Sequence, residues 1–417
     1  MALNWVWVGF FVVACATAVV RWALGEADIF QALLASLFDG ARAGFEISLG
    51  LAGVMALWLG LMRVGERAGM VELLARIAGP VLRRLFPGVP QGHPAQGAMT
   101  MNISANLLGL DNAATPLGLT AMRELQALNT TQPGQASNAQ IMFVVMNTAG
   151  LTLIPTSVIA IRQSVALKQG LGASFNAADI FLPTLLVTFA SLLAGVLAVA
   201  VCQRLPLWRA RFLMPLLAVG GLLAAAVTAL SRLPAEQAAR IAGTTGAAVI
   251  LGVVLLFLLA GSWRRLNVYD AFIDGAKEGF GVAVQIVPYL IAILVAIGVF
   301  RAAGCMDAVL GAIGALVAWA GLDTAFLPAL PVGLMKVLSG AGARGLMIDV
   351  LQTHGVDSFA GRLAAIIQGS TETTFYVLAV YFGSVGVKHT RHALACALFA
   401  DAVGLVAAIG VGYAMLR

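Results

Sequence analysis

The run from residue 180 to residue 202 constrains the fold most, because it carries no charged side chain along its whole length. Similar apolar runs occupy residues 5–23, 44–62, 139–161, 213–230 and 243–262. Roughly 20 apolar residues are the length that crosses a bilayer as an α-helix. Over the whole chain 60% of residues are hydrophobic and 11% are charged, against about 25% charged in soluble domains. We therefore predict an all-α, polytopic integral membrane protein.

Basic residues cluster at three places between the apolar runs. The first cluster lies within residues 63–97, where five arginines outnumber two glutamates, and the others are centred on Arg204 and Arg264. A count of the crossings places all three clusters on one side of the membrane, which the positive-inside rule makes the cytoplasmic side. The net charge of +6 therefore reflects membrane topology, and nucleic acid is excluded as a partner.

Residues 98–125 do not fit a simple crossing. The apolar arm from Met99 to Leu110 is too short to span a bilayer, and a polar turn from Asp111 to Pro116 follows it. The polar side chains of the arm are Asn102, Ser104 and Asn106. Irregular backbone at membrane depth is tolerated only where protein or a watery cavity surrounds it. We therefore predict a re-entrant hairpin with its tip inside the membrane, and a loop outside the membrane is the alternative.

A second polar stretch, from Gln368 to Tyr376, places one carboxylate, Glu372, among small hydroxyl residues. A carboxylate at membrane depth is costly and therefore indicates a functional site. The alternative is that Glu372 lies at a helix end among the lipid headgroups. A comparable stretch, Asn147 to Gly150, lies within the apolar run at residues 139–161. We predict an interrupted helix at each of the two stretches.

The chain repeats itself at an interval of 235 residues. The segment from Phe38 to Phe45 recurs from Ile273 to Phe280, and Ser104 of the first predicted hairpin corresponds to Ser339. On the predicted topology an odd number of crossings separates the copies, which inserts them upside down relative to each other. Inverted repeats whose broken helices meet at the midplane are the build of many secondary transporters. We therefore predict two inverted repeats, each with a re-entrant hairpin and an interrupted helix.

Two stretches carry a family resemblance. Residues Asn102 to Pro116 resemble the signature of spore maturation protein A of bacteria. Residues Gly369 to Tyr376, with the later Gly383 to Gly386, resemble that of spore maturation protein B. The two halves, joined in one polypeptide, account for nearly the whole chain. Both families carry the nucleoside recognition or Gate domain, which concentrative nucleoside transporters and the membrane part of the ferrous iron transporter share.

The resemblance implies a multi-pass protein of the bacterial cytoplasmic (inner) membrane that acts in cell-envelope or spore-cortex physiology. It suggests secondary transport of a small polar solute without establishing a nucleoside as that solute. The alternative is a membrane scaffold for peptidoglycan-modifying enzymes that transports nothing. The domains that we predict are a first span at residues 1–27, a first Gate repeat at 28–205, connecting spans at 206–265 and a second Gate repeat at 266–417.

The polar residues of the hairpins and interrupted helices are the candidates for solute or ion binding, because unwound backbone leaves hydrogen-bonding groups for a ligand. They are Asn102, Ser104, Asn106, Asn147, Thr148, Ser339, Gly340, Gly342, Arg344, Ser370, Thr371, Glu372 and Thr373. The glycines are alternatively sites of close helix packing. Asp401, inside the last apolar run, is the candidate for a proton relay, with a helix cap or a partner to a buried cation as the alternatives.

We predict that the chain is not an enzyme and needs no cofactor. It lacks a GxSxG elbow, an HExxH pair and a P-loop. Its four cysteines lie singly in apolar runs, so no metal site is expected either. The expected partners are the lipid bilayer, a small polar solute of unknown identity and a coupling ion, either H⁺ or Na⁺. A homo-oligomer is left open.

Overall fold

The computed structural model describes residues 2–108, 111–150, 152, 155–171, 175–205, 220–221, 225, 228–229 and 235–416. In the first half of the chain the described helices are α1 (Ala2–Ala23), α2 (Ile29–Arg67), α3 (Met70–Leu85), α4 (Pro94–Leu107), α5 (Asp111–Ala127), α6 (Asn138–Thr148), α7 (Thr156–Lys168) and α8 (Phe181–Cys202). In the second half they are α9 (Ala235–Trp263), α10 (Val268–Ala302), α11 (Cys305–Trp319), α12 (Leu330–Leu338), α13 (Gly340–His354), α14 (Phe359–Ser370), α15 (Thr374–Ser384) and α16 (Ala393–Met415). Short 3₁₀ segments, Ala177–Ile180 and Leu327–Ala329, precede α8 and α12.

Six helical segments within the described residues are long and apolar enough to cross a membrane. They are Ile29–Arg67, Ala177–Cys202, Gly243–Trp263, Val268–Ala302, Phe359–Ser384 and Ala393–Met415. The prediction of an all-helical, polytopic membrane protein is therefore confirmed. Most of the apolar run predicted at residues 213–230 lies outside the described residues.

The apolar run predicted at residues 44–62 lies inside a longer helix. The structure continues the helix from Ile29 to Arg67, so the glycine-containing segment before residue 44 is part of α2. Arg42 and Glu46, one helical turn apart, form an ion pair of 2.8 Å across that junction. Opposite charges at this spacing support a continuous helix. The charged residues therefore lie along a helix and do not end one.

The same order of elements occurs in both halves of the chain. A long helix (α2 or α10) is followed by a shorter one (α3 or α11), a pair of short helices (α4–α5 or α12–α13), an interrupted pair (α6–α7 or α14–α15) and a final long helix (α8 or α16). The turn into the second element has the same conformation in both copies, because Gly69 and Gly304 have φ values of +74° and +77°. Glycine adopts this left-handed region without a steric penalty.

The chain forms two compact units that do not follow its two halves. Unit 1 comprises Met1–Leu57, Ser157–Phe175 and Lys277–Gln368. Unit 2 comprises Trp58–Thr156, Asn176–Ala276 and Gly369–Arg417. Each unit therefore takes elements from both halves, and the helix interruptions lie close to the points where the chain passes from one unit to the other. The domain bounds predicted from the sequence stay a prediction.

Glycines at repeated positions form repeated helix contacts. In unit 1, a methyl group built on Gly40 of α2 would lie 3.0 Å from the carbonyl oxygen of Leu294 in α10. In unit 2, a methyl group on Gly275 of α10 would collide with the carbonyl oxygen of Leu59 in α2. A shift of 235 residues converts Gly40 into Gly275 and Leu59 into Leu294, so the two contacts correspond. Small residues of this kind let membrane helices approach closely.

The final helices of the two halves pack against each other in unit 2. Cys202 at the end of α8 lies beside Cys396 near the start of α16, with their sulfur atoms 3.9 Å apart. Ser191, in the middle of α8, donates a hydrogen bond of 3.0 Å to the carbonyl oxygen of Ala400 in α16. Leu186, near the start of α8, shares a buried cluster with Met415 at the end of α16. The residue number falls along α8 as it rises along α16, so these helices are antiparallel.

Candidate solute-binding site

Asn102 of α4 is the most buried amide of the predicted site, with no exposed surface. Its Nδ2 donates a hydrogen bond of 2.7 Å to the carbonyl oxygen of Ala114 in α5, which joins the two arms of the first helical hairpin. The same Nδ2 donates to Tyr381 Oη of α15 at 3.3 Å. Asn102 Oδ1 is buried and has no hydrogen-bond partner among the described residues. One acceptor of this amide is therefore available to a ligand.

Asn147 of α6 completes this polar cluster. Its Oδ1 accepts hydrogen bonds from Asn106 Nδ2 at 2.8 Å and from Tyr381 Oη at 3.3 Å. Its Nδ2 donates at 2.9 Å to the carbonyl oxygen of Phe143, one turn earlier in α6. Asn102, Asn106, Asn147 and Tyr381, here called the asparagine cluster, therefore form a continuous set of neutral donors and acceptors.

Gly118 of α5 makes room for the tyrosine of the asparagine cluster. A methyl group built on Gly118 would collide with Tyr381 Oη, would lie 2.5 Å from Tyr381 Cζ and would lie 3.0 Å from Asn102 Nδ2. The Tyr381 ring also stacks on Phe143, with ring centroids 5.8 Å apart and planes 9° from parallel. Packing on both sides fixes the position of the phenol.

The two predicted helix interruptions meet beside the asparagine cluster. Helix α6 ends at Thr148 and α15 begins at Thr374, as the polar stretches predicted. The backbone N–H of Glu372 donates a hydrogen bond of 2.9 Å to the carbonyl oxygen of Thr148. A methyl group built on Gly150 would lie 3.3 Å from Glu372 Cγ, so the carboxylate stem runs alongside the first interruption. Residues from both halves of the sequence therefore build this part of unit 2.

The remaining polar candidates of unit 2 lie around the same interruptions. Ser370, Thr371 and Thr373 are buried, and Thr148 is fully buried with its hydroxyl donating to the carbonyl oxygen of Val145. Ser104 is also fully buried, and its Oγ has no hydrogen-bond partner among the described residues. It lies two residues from Asn102 and therefore points from a different face of α4. Asp401 of α16 accepts a hydrogen bond of 2.7 Å from Thr374 Oγ1.

The other predicted residues belong to unit 1. Ser339 lies between α12 and α13 in an extended conformation, and its Oγ accepts a hydrogen bond of 3.0 Å from the N–H of Gly342. It therefore caps α13, which begins at Gly340. A methyl group on Gly342 would lie 2.9 Å from Met335 Cγ, so this glycine permits close packing of the two hairpin helices. Arg344 is partly exposed on α13.

Sequence reasoning missed two charged groups of unit 1. Arg162 of α7 has no exposed surface, and its Nη2 donates a hydrogen bond of 3.1 Å to the carbonyl oxygen of Val356. Its guanidinium lies 5.2 Å from the centre of the Phe175 ring. The second group is the ion pair between Arg301 of α10 and Asp349 of α13. A charged residue inside an apolar segment was the available signal in each case.

Comparison with known proteins assigns the family. The nucleoside recognition (Gate) family matches residues 48–164 and again residues 283–388 of this chain. Together the two matches cover more than half of the chain. The protein belongs to the Gate family. The asparagine cluster and Glu372 lie within the two Gate segments, whereas Asp401 lies beyond the second one.

Two curated relatives of Bacillus subtilis (strain 168) match separate halves of this Gate protein. Spore maturation protein B is 41% identical over 162 residues, which are 39% of this chain and 89% of the relative. Spore maturation protein A is 36% identical over 189 residues, which are 45% of this chain and 89% of the relative. The expected resemblance to a fused spore maturation A/B protein is therefore confirmed. No solved structure matches the chain.

Tyr381 is the residue of the asparagine cluster that sequence reasoning missed. It lies in the apolar segment that follows the Glu372 stretch, where an aromatic ring is expected to face the lipid. A buried tyrosine hydroxyl usually finds a hydrogen-bond partner, which was the one available signal. Its partner Asn147 is 234 residues away in the sequence, so no local pattern connects the two.

Proposed function

We propose that the chain is a secondary transporter of a small polar solute across the cytoplasmic membrane. The observation that supports this best is the buried asparagine cluster beside the two helix interruptions of unit 2. Buried polar groups are normally hydrogen-bonded, so an orphaned acceptor such as Asn102 Oδ1 calls for an explanation. The explanation we propose is a solute that donates a hydrogen bond to this oxygen.

Inverted repeats form the second part of the proposal. The corresponding helices α8 and α16 run antiparallel. The contact of Gly40 with Leu294 and that of Gly275 with Leu59 are related by the repeat interval, as a two-fold arrangement requires. Transporters with inverted repeats bind their solutes where broken helices of the repeats meet, and they expose that site alternately to the two sides of the membrane.

Re-entrant hairpins form the third part. The helices of the pair α4–α5 have 14 and 17 residues, and those of α12–α13 have 9 and 15. All are shorter than the roughly 20 residues that cross a bilayer. We infer that each pair enters the membrane and returns to the same side, which brings Asn102 and Ser339 to membrane depth.

The donor set points to a neutral, hydrogen-bonding solute. The asparagine cluster consists of three amides and a phenol, and Glu372 adds one carboxylate nearby. We propose that Glu372 binds the solute or its coupling ion and that the hydroxyl residues 370, 371 and 373 line the same interruption. The family description, nucleoside recognition, makes nucleosides the first class to test. The relatives' names make spore maturation and the cell envelope the first physiological setting to examine.

Ligand-induced stabilisation of the purified protein tests this proposal. Unfolding temperature is measured with nucleosides, amino acids and cell-wall precursors at rising concentration. We expect one class to stabilise the wild-type protein and to lose its effect in Asn147→Ala. The matched control is Ser262→Ala, which removes an exposed hydroxyl that donates to the carbonyl oxygen of Leu258 in its own helix, α9. Equal stabilisation of wild type and Asn147→Ala by the same solute would place the binding site elsewhere.

A further inference from the structure

A second group of buried polar residues in unit 2 surrounds Asp401 on α16. Asp401 is only 9% exposed, and its Oδ2 accepts a hydrogen bond of 2.7 Å from Oγ1 of the fully buried Thr374. The preceding residue, Ala400, accepts a hydrogen bond of 3.0 Å from Ser191 Oγ of α8. Because Ala400 and Asp401 are consecutive, hydroxyl groups from α8 and α15 reach the same turn of α16.

Gly404, three residues after Asp401, lets a third hydroxyl residue approach. A methyl group built on Gly404 would lie 3.3 Å from Ser191 Oγ and 3.3 Å from Thr371 Cγ2. Residues three apart are neighbours on a helix surface, so Asp401 and Gly404 share one side of α16. Oxygen-bearing side chains from α8, from the second interruption and from the start of α15 therefore converge on one side of α16, around the carboxylate.

A stripe of hydroxyl residues on α8 leads to this group. Thr184, Thr188 and Ser191 follow one another at intervals of four and three residues, which places them on one face of the helix. All three have no exposed surface. Thr184 Oγ1 has no hydrogen-bond partner among the described residues. An ionisable residue inside a membrane protein, here Asp401, commonly marks the route of an ion.

The charged groups and helix ends around Asp401 define its surroundings. Thr374, its hydroxyl partner, is the first residue of α15, and the N-terminus of a helix carries partial positive charge that stabilises an anion. The adjoining helices α6, α8 and α15 contain no charged residue, and Asp401 is the one charged residue of α16. Helix α9, which also packs against α16, carries Glu236 and Arg240 near its start. Carboxylate and hydroxyl oxygens are the ligands of hard cations.

We propose that Asp401 is the carboxylate ligand of a Na⁺ site, with Thr374 and Ser191 as its hydroxyl ligands. Asp401 and Ser191 lie outside both Gate segments, so family membership assigns them no role. A metal cation is bound by several oxygen ligands at once, whereas a proton needs only one carboxylate. The convergence of several oxygens here therefore favours a cation. Bound there, Na⁺ is the coupling ion of the proposed transport. Its binding is measurable without any transported solute, so failure of one proposal is distinguishable from failure of the other.

The test is the unfolding temperature of the purified full-length protein at rising NaCl, with choline chloride holding the ionic strength constant. We expect a saturable, Na⁺-specific rise in the wild-type protein and none in Asp401→Asn. The matched control is Asp323→Asn. Asp323 is exposed, and the asparagine keeps the Oδ1 that accepts a hydrogen bond from the N–H of Ala325. This control retains the full response to Na⁺.

Two milder variants carry the test if Asp401→Asn does not fold. Thr374→Val and Ser191→Ala each remove one hydroxyl, and each raises the apparent Kd for Na⁺ by roughly tenfold, the loss expected for one hydrogen-bond-strength interaction with a charged group. The proposal is overturned if the wild-type protein responds equally to Na⁺ and choline. It is also overturned if both variants keep the wild-type Kd, or if stability follows pH and not Na⁺.

Discussion

The backbone N–H of Glu372 donates a hydrogen bond to the carbonyl oxygen of Thr148, over a distance of 2.9 Å. Both atoms belong to places where a helix stops, and such groups have no partner within their own helix. The bond therefore satisfies one orphan donor and one orphan acceptor. It also fixes the only carboxylate of the second interruption beside the end of α6, where Asn147 presents its amide.

Removing the phenol of Tyr381 tests whether the asparagine cluster binds the solute. Tyr381→Phe deletes two hydrogen bonds of 3.3 Å, while Asn102 keeps Ala114 and Asn147 keeps Asn106. We expect a loss of stability of about 1–2 kcal/mol, since each such bond contributes about 1 kcal/mol, and a loss of solute-induced stabilisation. Tyr376→Phe is the control, because Tyr376 is 58% exposed. Unchanged solute affinity in Tyr381→Phe would remove this residue from the site.

Much of this site was predictable from the sequence, because its signals are local. Polar residues in apolar runs indicated Asn102, Asn147 and the Glu372 stretch, and both helix interruptions lie where those stretches predicted them. The hydrogen bonds that Tyr381 makes to Asn102 and Asn147 were not predictable in the same way. Tyr381 and Asn147 are 234 residues apart, and a phenol in an apolar helix does not reveal its partner.

The fold shows the same division between local and distant information. The repeat of Phe38–Phe45 predicted the paired order of elements, because it is printed in the sequence twice. The composition of the two units was not evident, because each combines elements from both halves. The 39-residue length of α2 was also not evident, because the apolar run at residues 44–62 covers only part of the helix.

Adding a methyl group at Gly118 tests the packing of the tyrosine. Gly118→Ala forces carbon against the Tyr381 ring, at 2.5 Å from Cζ before relaxation. Overpacking of this kind costs about 1–3 kcal/mol, so we expect a lower unfolding temperature and weaker solute binding. Gly97→Ala in α4 is the matched control, because nothing lies within 4 Å of the added group. If the two variants unfold at the same temperature, the described contact is not present in the protein.

Alanine substitutions at the repeated glycines test the correspondence of the helix contacts. In unit 1 a methyl group on Gly279 would lie 2.5 Å from the carbonyl oxygen of Met55, and one on Gly44 would lie 3.0 Å from Ile291 Cα. We expect both variants to be destabilised, by about 1–3 kcal/mol for Gly279→Ala and by less for Gly44→Ala. Gly281→Ala adds its methyl group to open space and serves as the control. Thermal unfolding in detergent provides the comparison, and a stable Gly279→Ala variant would contradict the close approach.

The thiols of Cys202 and Cys396 test the packing of α8 on α16. Their sulfur atoms lie 3.9 Å apart, and a disulfide requires about 2.05 Å, a modest movement. Treatment with copper phenanthroline is expected to join them within one chain, giving a cross-linked peptide in mass spectrometry and a higher unfolding temperature. Cys202→Ser abolishes the product, whereas Cys15→Ser leaves it unchanged. Cross-links that form only between chains would contradict the described packing.

Uptake of radiolabelled solute into proteoliposomes tests the central claim most directly. The solute is the one that stabilises the purified protein, and the variants are Glu372→Gln and, as a control, Glu26→Gln in the exposed turn after α1. We predict saturable uptake by the wild-type protein and by Glu26→Gln, and at least a tenfold loss in Glu372→Gln, equivalent to about 1.4 kcal/mol. Undiminished uptake by Glu372→Gln, or no saturable uptake by the wild-type protein, would contradict a transporter built around this carboxylate.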